Sequence, residues 1–175
     1  MQARRRLDQV LDEDFLTDID QIGIDELRAR RQMAVDVEKE LSYYRRLLHG
    51  RMDLLRFERR RRTGEESRSL IESLAEILSD PTRGEGHDPR RTILDTDLPP
   101  LPDIGRREVD AVLGDDVLAK LDSVDDAGLA EALESVQAIE REISDKRHQV
   151  QQVADLLSAQ IAERYRSGAA ESVTP

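Results

Sequence analysis

From Ile24 to the residue before Gly50 the chain has neither glycine nor proline, and its apolar residues keep a seven-residue beat. Val37, Leu41, Tyr44, Leu48 and Leu55 follow in steps of four, three, four and seven. That spacing brings apolar side chains back to one narrow face of a helix. A narrow seam cannot bury itself; it needs a second helix with the same beat. The chain carries one: Val136, Ile139, Ile143, Val150, Val153 and Leu157 step by three, four, seven, three and four. The reading is all-α: an elongated antiparallel coiled coil of two long helices, with a shorter helix and a Pro/Gly-rich linker. The first long helix is expected over 25 to 62, about 55–60 Å, with Arg51 interrupting its seam. Gly50 inside it costs up to ~1 kcal/mol relative to alanine. The second starts near Asp125-Asp126, where acidic residues suit a helix N-terminus, and runs to about Arg166, with Lys146 as its polar interruption.

Composition agrees with a thin core. Apolar residues are 38% of the 175, aromatics 3% and charged residues 37%, too little apolar material for a thick globule and too much for disorder. No apolar run reaches the ~18 residues of a membrane span, and no secretory segment opens the chain. The absence of cysteine excludes disulfides and thiolate metal sites and suggests a reducing, cytoplasmic setting. A net charge of −11 repels DNA and anionic lipid and favours a partner with a basic patch.

The rest of the chain divides around the two helices. Residues 1–24 form an N-terminal segment of short helical turns, with Leu7, Val10, Leu11, Phe15, Leu16, Ile19 and Ile22 at helical intervals. Residues 25–79 hold the first long helix and a second helix whose capping box is Thr63 and Glu66. Five of the six prolines and three of the nine glycines fall in 80–105, which marks a flexible linker. Residues 106–167 give a short apolar element (Val109, Val112, Leu113) and the last helix, and 168–175 a disordered tail.

One face of the first helix carries a polar stripe: Glu38, Ser42, Arg45, His49 and Asp53, spaced four, three, four and four. At a constant offset of 102 it returns as Glu140, Ser144, Arg147, Gln151 and Asp155, and the apolar seam returns with it. Neighbouring positions do not all repeat: Tyr43-Tyr44 fall on Asp145-Lys146. A seam needs only bulk and period, but this stripe kept residue identity, which packing does not require. Arginine offers a planar fork to phosphate or to guanine O6 and N7. A carboxylate can accept the guanine N1–H and N2–H pair, whereas it would repel a bare phosphate. Two such stripes on antiparallel helices are related by a local two-fold axis, and cyclic di-GMP has guanines, phosphodiesters and that symmetry.

The pattern E-x3-S-x2-R-x3-(H/Q)-x3-D, present twice, resembles the RsiG family, cyclic-di-GMP-dependent anti-sigma factors of streptomycetes and related sporulating actinomycetes. The layout of helices and linker resembles the family over essentially the whole chain. The resemblance implies that the two long helices bind a dimer of cyclic di-GMP through these ten residues. It also implies that the loaded protein sequesters a flagellar-type, WhiG-like sigma factor and represses its transcription. His49, against Gln151 at the same place in the other stripe, is the one variation between the two.

Other chemistries fit less well. His49 with Asp53 could be half of a metal site, but the repeat has Gln151 there, so no metal is expected. Paired carboxylates without a pocket-forming sequence or nucleophile motif assign no catalytic residues and no enzyme. The arginine run Arg59–Arg62 reads as a solvated helix end that suits the dipole, not as a nucleic-acid site. The alternative function is a ligand-independent coiled-coil adaptor whose stripes are ion-pair ladders. The N-terminal segment and the 65–79 helix, whose apolar faces lack a mate in the sequence, are the expected partner contacts.

Overall fold

Both long helices form. The computed structural model describes residues 6–70, 72–73 and 121–171, and the regular structure in them is all helical. A short helix α1 (Arg6–Val10) and a 3-10 turn (Glu13–Leu16) precede α2, Ile24–Arg62. A second 3-10 turn (Leu121–Ser123) leads into α3, Asp126–Glu171. The linker at 80–105, the apolar element at 109–113 and most of the 65–79 helix lie outside the described residues. No described helix is long and apolar enough to cross a membrane.

Helix ends follow local chemistry. Asp25 and Glu26 occupy the first turn of α2 and Arg59–Arg62 its last, so both ends complement the helix dipole. Past Arg62 the chain closes a Schellman motif: Glu65 N–H donates to Arg60 O at 2.9 Å and Gly64 N–H to Arg61 O at 3.2 Å. Gly64 sits at φ 80°, a conformation that suits glycine. The expected capping box at Thr63 and Glu66 is therefore corrected. Thr63 serves the helix behind it, its hydroxyl donating to Arg60 O, and Glu66 pairs with Arg68. The box forms six residues later, between Ser69 and Glu72: Ser69 N–H donates to Glu72 Oε2 at 2.8 Å, and Glu72 N–H to Ser69 Oγ at 3.3 Å. Leu70, Glu72 and Ser73 are helical beyond it.

Asp125 caps α3 by accepting from Gly128 N–H at 2.8 Å. A Cβ at Gly128 would lie 2.8 Å from Val124 Cγ1 and 3.1 Å from Asp125 Oδ1, so glycine lets both side chains fold over the first turn. At the other end α3 does not stop near Arg166 as expected but continues through the start of the expected tail to Glu171. Ser167 Oγ donates to the Glu163 and Arg164 carbonyls, and two alanines that favour helix follow Gly168.

The chain packs as two compact units, and both long helices pass through each. The terminal unit joins the residues up to Tyr43 to those from Ile143 onward; the central unit is Tyr44–Glu142. In the terminal unit, Leu27, Ala34, Val37 and Leu41 of α2 and Ile143, Val150 and Leu157 of α3 are buried. There the helices run antiparallel, Arg28 meeting Tyr165, Arg31 meeting Ser158 and Glu38 meeting Arg147. In the central unit, Tyr44, Leu48 and Leu55 of α2 and Leu129, Leu133 and Val136 of α3 are buried. They are again antiparallel, His49 meeting Glu140 and Arg62 meeting Asp126.

The N-terminal segment belongs to the terminal unit. Leu7 and Val10 of α1 are buried, and Arg6 pairs with Glu40 at 3.2 Å. Arg30 donates to Phe15 O at 2.8 Å and pairs with Asp18 at 2.6 Å, while Arg164 donates to Asp20 O at 2.6 Å. The expectation that this segment lacks a mate is thus overturned for α1, whose Leu7 and Val10 are buried and whose Arg6 pairs with Glu40 of α2.

Candidate functional site

The stripes divide between the units. The central unit holds Arg45, His49 and Asp53 from α2 and Glu140 from α3. Arg45 Nε donates to Glu140 Oε1 at 3.0 Å, and His49 Nε2 lies 2.9 Å from the same oxygen. A carboxylate can only accept, so that ring nitrogen carries the hydrogen. The terminal unit holds Glu38 and Ser42 from α2 and Ser144, Arg147, Gln151 and Asp155 from α3. Here Arg147 Nη1 donates to Glu38 Oε1 at 2.9 Å and Gln151 Nε2 to the same oxygen at 3.3 Å. Ser42 Oγ, one turn along α2, donates to it as well at 2.8 Å.

These bonds are mates under the offset of 102. Arg45 to Glu140 becomes Arg147 to Glu38, and His49 to Glu140 becomes Gln151 to Glu38. The identity seen along the sequence is thus a repeated set of interhelical hydrogen bonds. Spacing alone misses how the acids are used. Two acidic stripes facing each other would repel, but each glutamate instead faces the arginine of the other helix. The residues needed to foresee this were present: in an antiparallel pair, an E-x6-R spacing on both helices sets each acid opposite the other's base.

Both glutamates are well covered, with side chains 16% exposed for Glu140 and 24% for Glu38, while Arg45 is 39% and Arg147 28% exposed. Arg147 also holds its Nε buried without an acceptor among the described residues, a donor left over once Glu38 is satisfied. The two aspartates are not drawn into the cross-helix bonds. Asp53 accepts from Arg56 on its own helix at 3.4 Å, and Asp155 is exposed at the end of its stripe. Ser144 is half-buried on the face that holds Arg147.

Charged groups outside the stripes do structural work. Glu58 is 2% exposed and accepts from Arg61 and Arg62 at 2.8 Å each. The Arg61 bond, with Arg62 behind it, holds the Glu58 carboxyl below its ordinary range despite burial. Arg62 also reaches Asp126 and Leu121 O, joining the end of α2 to the start of α3. Part of the arginine run is therefore a clamp, while Arg59 and Arg60 are exposed. In the terminal unit, burial pushes the Glu40 carboxyl up, and neighbouring Asp36 adds to this while Arg6 opposes it. No cluster of histidine and acidic side chains among the described residues could hold a metal ion.

No curated protein matches the chain. A family model does: residues 13–78, which contain the whole of α2 and its stripe, match the model described as RsiG-like, a family of anti-sigma regulators and not of enzymes. The α3 stripe lies beyond the matched segment and is tied to it by the internal repeat. Over residues 13–78 this chain is similar to the RsiG-like family.

Proposed function

We propose that the chain is an anti-sigma factor that binds two molecules of cyclic di-GMP through its stripes and, so loaded, sequesters a WhiG-like sigma factor. The observation that supports this reading most is the bond-for-bond repetition of a Glu–Arg–(His/Gln) set in the two units. Two equivalent ligand molecules call for two equivalent sets, and each set offers guanine what it reads. The arginine fork suits O6 and N7 or a phosphodiester, and the glutamate suits the N1–H and N2–H edge. The unpaired Nε of Arg147 supplies a further donor at no cost in existing bonds.

Ligand binding in this scheme exchanges partners. The half-exposed cross-helix pairs are worth ~0.2–1 kcal/mol each, whereas an arginine set on a guanine edge is worth ~1–3 kcal/mol. Trading one for the other is favourable, and it changes which groups tie α2 to α3 inside each unit. A sigma factor that recognises only the exchanged arrangement senses the nucleotide, and linkage makes each ligand tighten the other by the same factor.

A second reading has its own observation. The stripes already satisfy one another across the helices, as they would in a ligand-independent coiled-coil adaptor. Calorimetry of the purified chain with cyclic di-GMP, with and without the sigma factor, separates the two. The anti-sigma reading expects saturable binding that tightens in the presence of the sigma factor. No heat of binding under either condition leaves the adaptor; equal nucleotide affinity with and without the sigma factor removes the gating.

A further inference from the structure

The aspartates that close the two stripes have different neighbours. In the central unit Asp53 accepts from Arg56, three residues on along α2, at 3.4 Å. Under the offset of 102 the mate of Arg56 is Ser158, and no base stands one turn from Asp155 on α3. In the terminal unit an arginine reaches the corresponding place from the other helix. Arg31 of α2 donates through Nε to Ser158 Oγ at 2.7 Å, while that hydroxyl donates its own hydrogen to Ala154 O at 2.7 Å. The serine thus fixes the stem of the guanidinium and leaves both Nη groups over. Arg31 is exposed and forms no ion pair among the described residues. One turn from it on α2 stand Leu27, Arg28, Ala34 and Val35, so no acid of its own helix claims the charge.

We propose that Arg31, its stem held by Ser158, is a further ligand-contacting residue of the terminal unit and grips a phosphodiester of cyclic di-GMP. The proposal rests on the reading of the stripes as a cyclic-di-GMP site and concerns the terminal unit alone. Arg31 stands seven residues before Glu38, two turns along the same helix face, and Ser158 one turn past Asp155. The Arg31–Ser158 clasp therefore closes the end of the polar face on both helices. Charge selects the phosphodiester over the guanine. Glu38, Arg147 and Asp155 comprise two acids and one base, and that negative excess suits a neutral guanine edge but repels a phosphodiester. Arg31 removes the excess, as Arg56 does for Arg45, Asp53 and Glu140 in the central unit. Arg147 meets a ligand only by leaving Glu38, whereas Arg31 has no acid to leave, and its two Nη groups match two phosphate oxygens. A bond from Nε to a neutral hydroxyl is within reach of other polar side chains, so the pairing of the helices does not by itself call for arginine here.

The test is calorimetric titration of the full chain with cyclic di-GMP at about 50 mM and about 300 mM salt, which differ in how far they screen an exposed charge. At the lower salt Arg31→Gln should bind about five- to tenfold more weakly than the wild type, between the value of an exposed ion pair and that of a hydrogen bond to a charged group. The gap should narrow at the higher salt, because only the wild type has this charge contact to lose. Arg31→Lys keeps the cation without the fork and should recover part of the affinity and of the salt dependence. Ser158→Ala frees the guanidinium and should cost about twofold, the ordering that the serine no longer supplies. Arg59→Gln removes an equal charge from the exposed end of α2 and should bind within about twofold of the wild type. Unchanged binding by Arg31→Gln overturns the proposal, as does a loss that Arg31→Lys does not relieve or that Arg59→Gln reproduces. Absence of binding by the wild type overturns the reading of the stripes, a result distinct from a wild type and an Arg31→Gln that bind equally well.

Discussion

The central and terminal units are built on one repeat and agree along the seam and the stripe, yet they part company on the flank beside it. Leu54 in the central unit is 7% exposed; its mate Leu156 in the terminal unit is 53% exposed. Phe57, 1% exposed, corresponds to the exposed Ala159. Glu58, buried under two arginines, corresponds to Gln160, which donates to Asp20 Oδ1 at 2.9 Å. The difference separates two kinds of constraint. Most positions that serve the seam and the polar set are alike in both units, apart from Tyr44 against Lys146, Arg51 against Val153 and His49 against Gln151, while positions on the flank have taken whatever their unit needs.

The flank comparison gives the largest expected effect. Leu54→Ala should lower stability by about 2–4 kcal/mol, the range for a leucine removed from a packed interior. Leu156→Ala should stay within about 0.5 kcal/mol, as for an exposed position. Urea unfolding of both variants measures the pair. Equal losses would mean that the mates are equally covered and that the contrast between the units is not real.

The polar sets should respond alike. Arg45→Ala and Arg147→Ala each remove the base that meets the opposite glutamate, and each should weaken cyclic-di-GMP binding by about 30- to 100-fold, that is, by the ~2–3 kcal/mol of a good arginine–guanine contact. The same variants should cost only ~1 kcal/mol or less in stability, because both pairs are part-exposed. Calorimetry gives the first number and denaturant unfolding the second. A tenfold or larger difference in affinity between the two variants would break the equivalence of the sets, and normal binding by either would remove that set from the site.

At Glu58 the units can be made alike. Glu58→Gln puts the amide of its mate Gln160 under Arg61 and Arg62, and should cost about 1–3 kcal/mol at neutral pH, the value of hydrogen bonds to a charged group. The sign with pH is set by a carboxyl held below its ordinary value of 4.5. Its contribution is present in full above that value and is lost as pH falls through the lowered one. The wild type should therefore hold its advantage down to about pH 5 and lose it at more acid pH, where the two unfolding curves converge. A gap that stays constant to pH 3 would mean that the pair does not depend on the charge of Glu58.

Much of this was legible in the sequence because helical packing writes itself in periods. The seam residues Leu41, Leu48, Ile143, Val150 and Leu157 are buried as their spacing requires. The long helices begin at Ile24 and Asp126, 102 positions apart, so the repeat extends to the helix starts. What stayed hidden was decided between segments, not along them. Thr63 and Glu66 satisfy the capping pattern as well as Ser69 and Glu72 do, but Gly64 in the left-handed region ends α2 first and moves the box downstream. Leu7 and Val10 look unpartnered in one dimension, and only the folded unit buries them and pairs the neighbouring Arg6 with Glu40. The cross-pairing of the stripes was concealed for the same reason: each stripe read alone shows acids and bases alternating, and only antiparallel alignment assigns partners.

The smallest expected effect bears on how the glutamates are aimed. Three donors converge on Glu38 Oε1, from Arg147 at 2.9 Å, Gln151 at 3.3 Å and Ser42 at 2.8 Å. The first two reach across from α3 and would be surrendered to a guanine ligand. Ser42 lies on the glutamate's own helix and can stay. Removing it with Ser42→Ala loses one hydrogen bond of about 1 kcal/mol, but alanine favours helix by a few tenths of a kcal/mol over serine, and the remaining donors still satisfy the carboxylate. Stability should therefore change by less than about 1 kcal/mol. Cyclic-di-GMP affinity should fall by about two- to fivefold, a fraction of one hydrogen bond, because a carboxylate freed from its brace must be ordered again when it meets the guanine edge. Unfolding and calorimetry on the same preparation decide the point: a loss of stability with unchanged affinity would make Ser42 a helix brace alone, with no part in aiming Glu38.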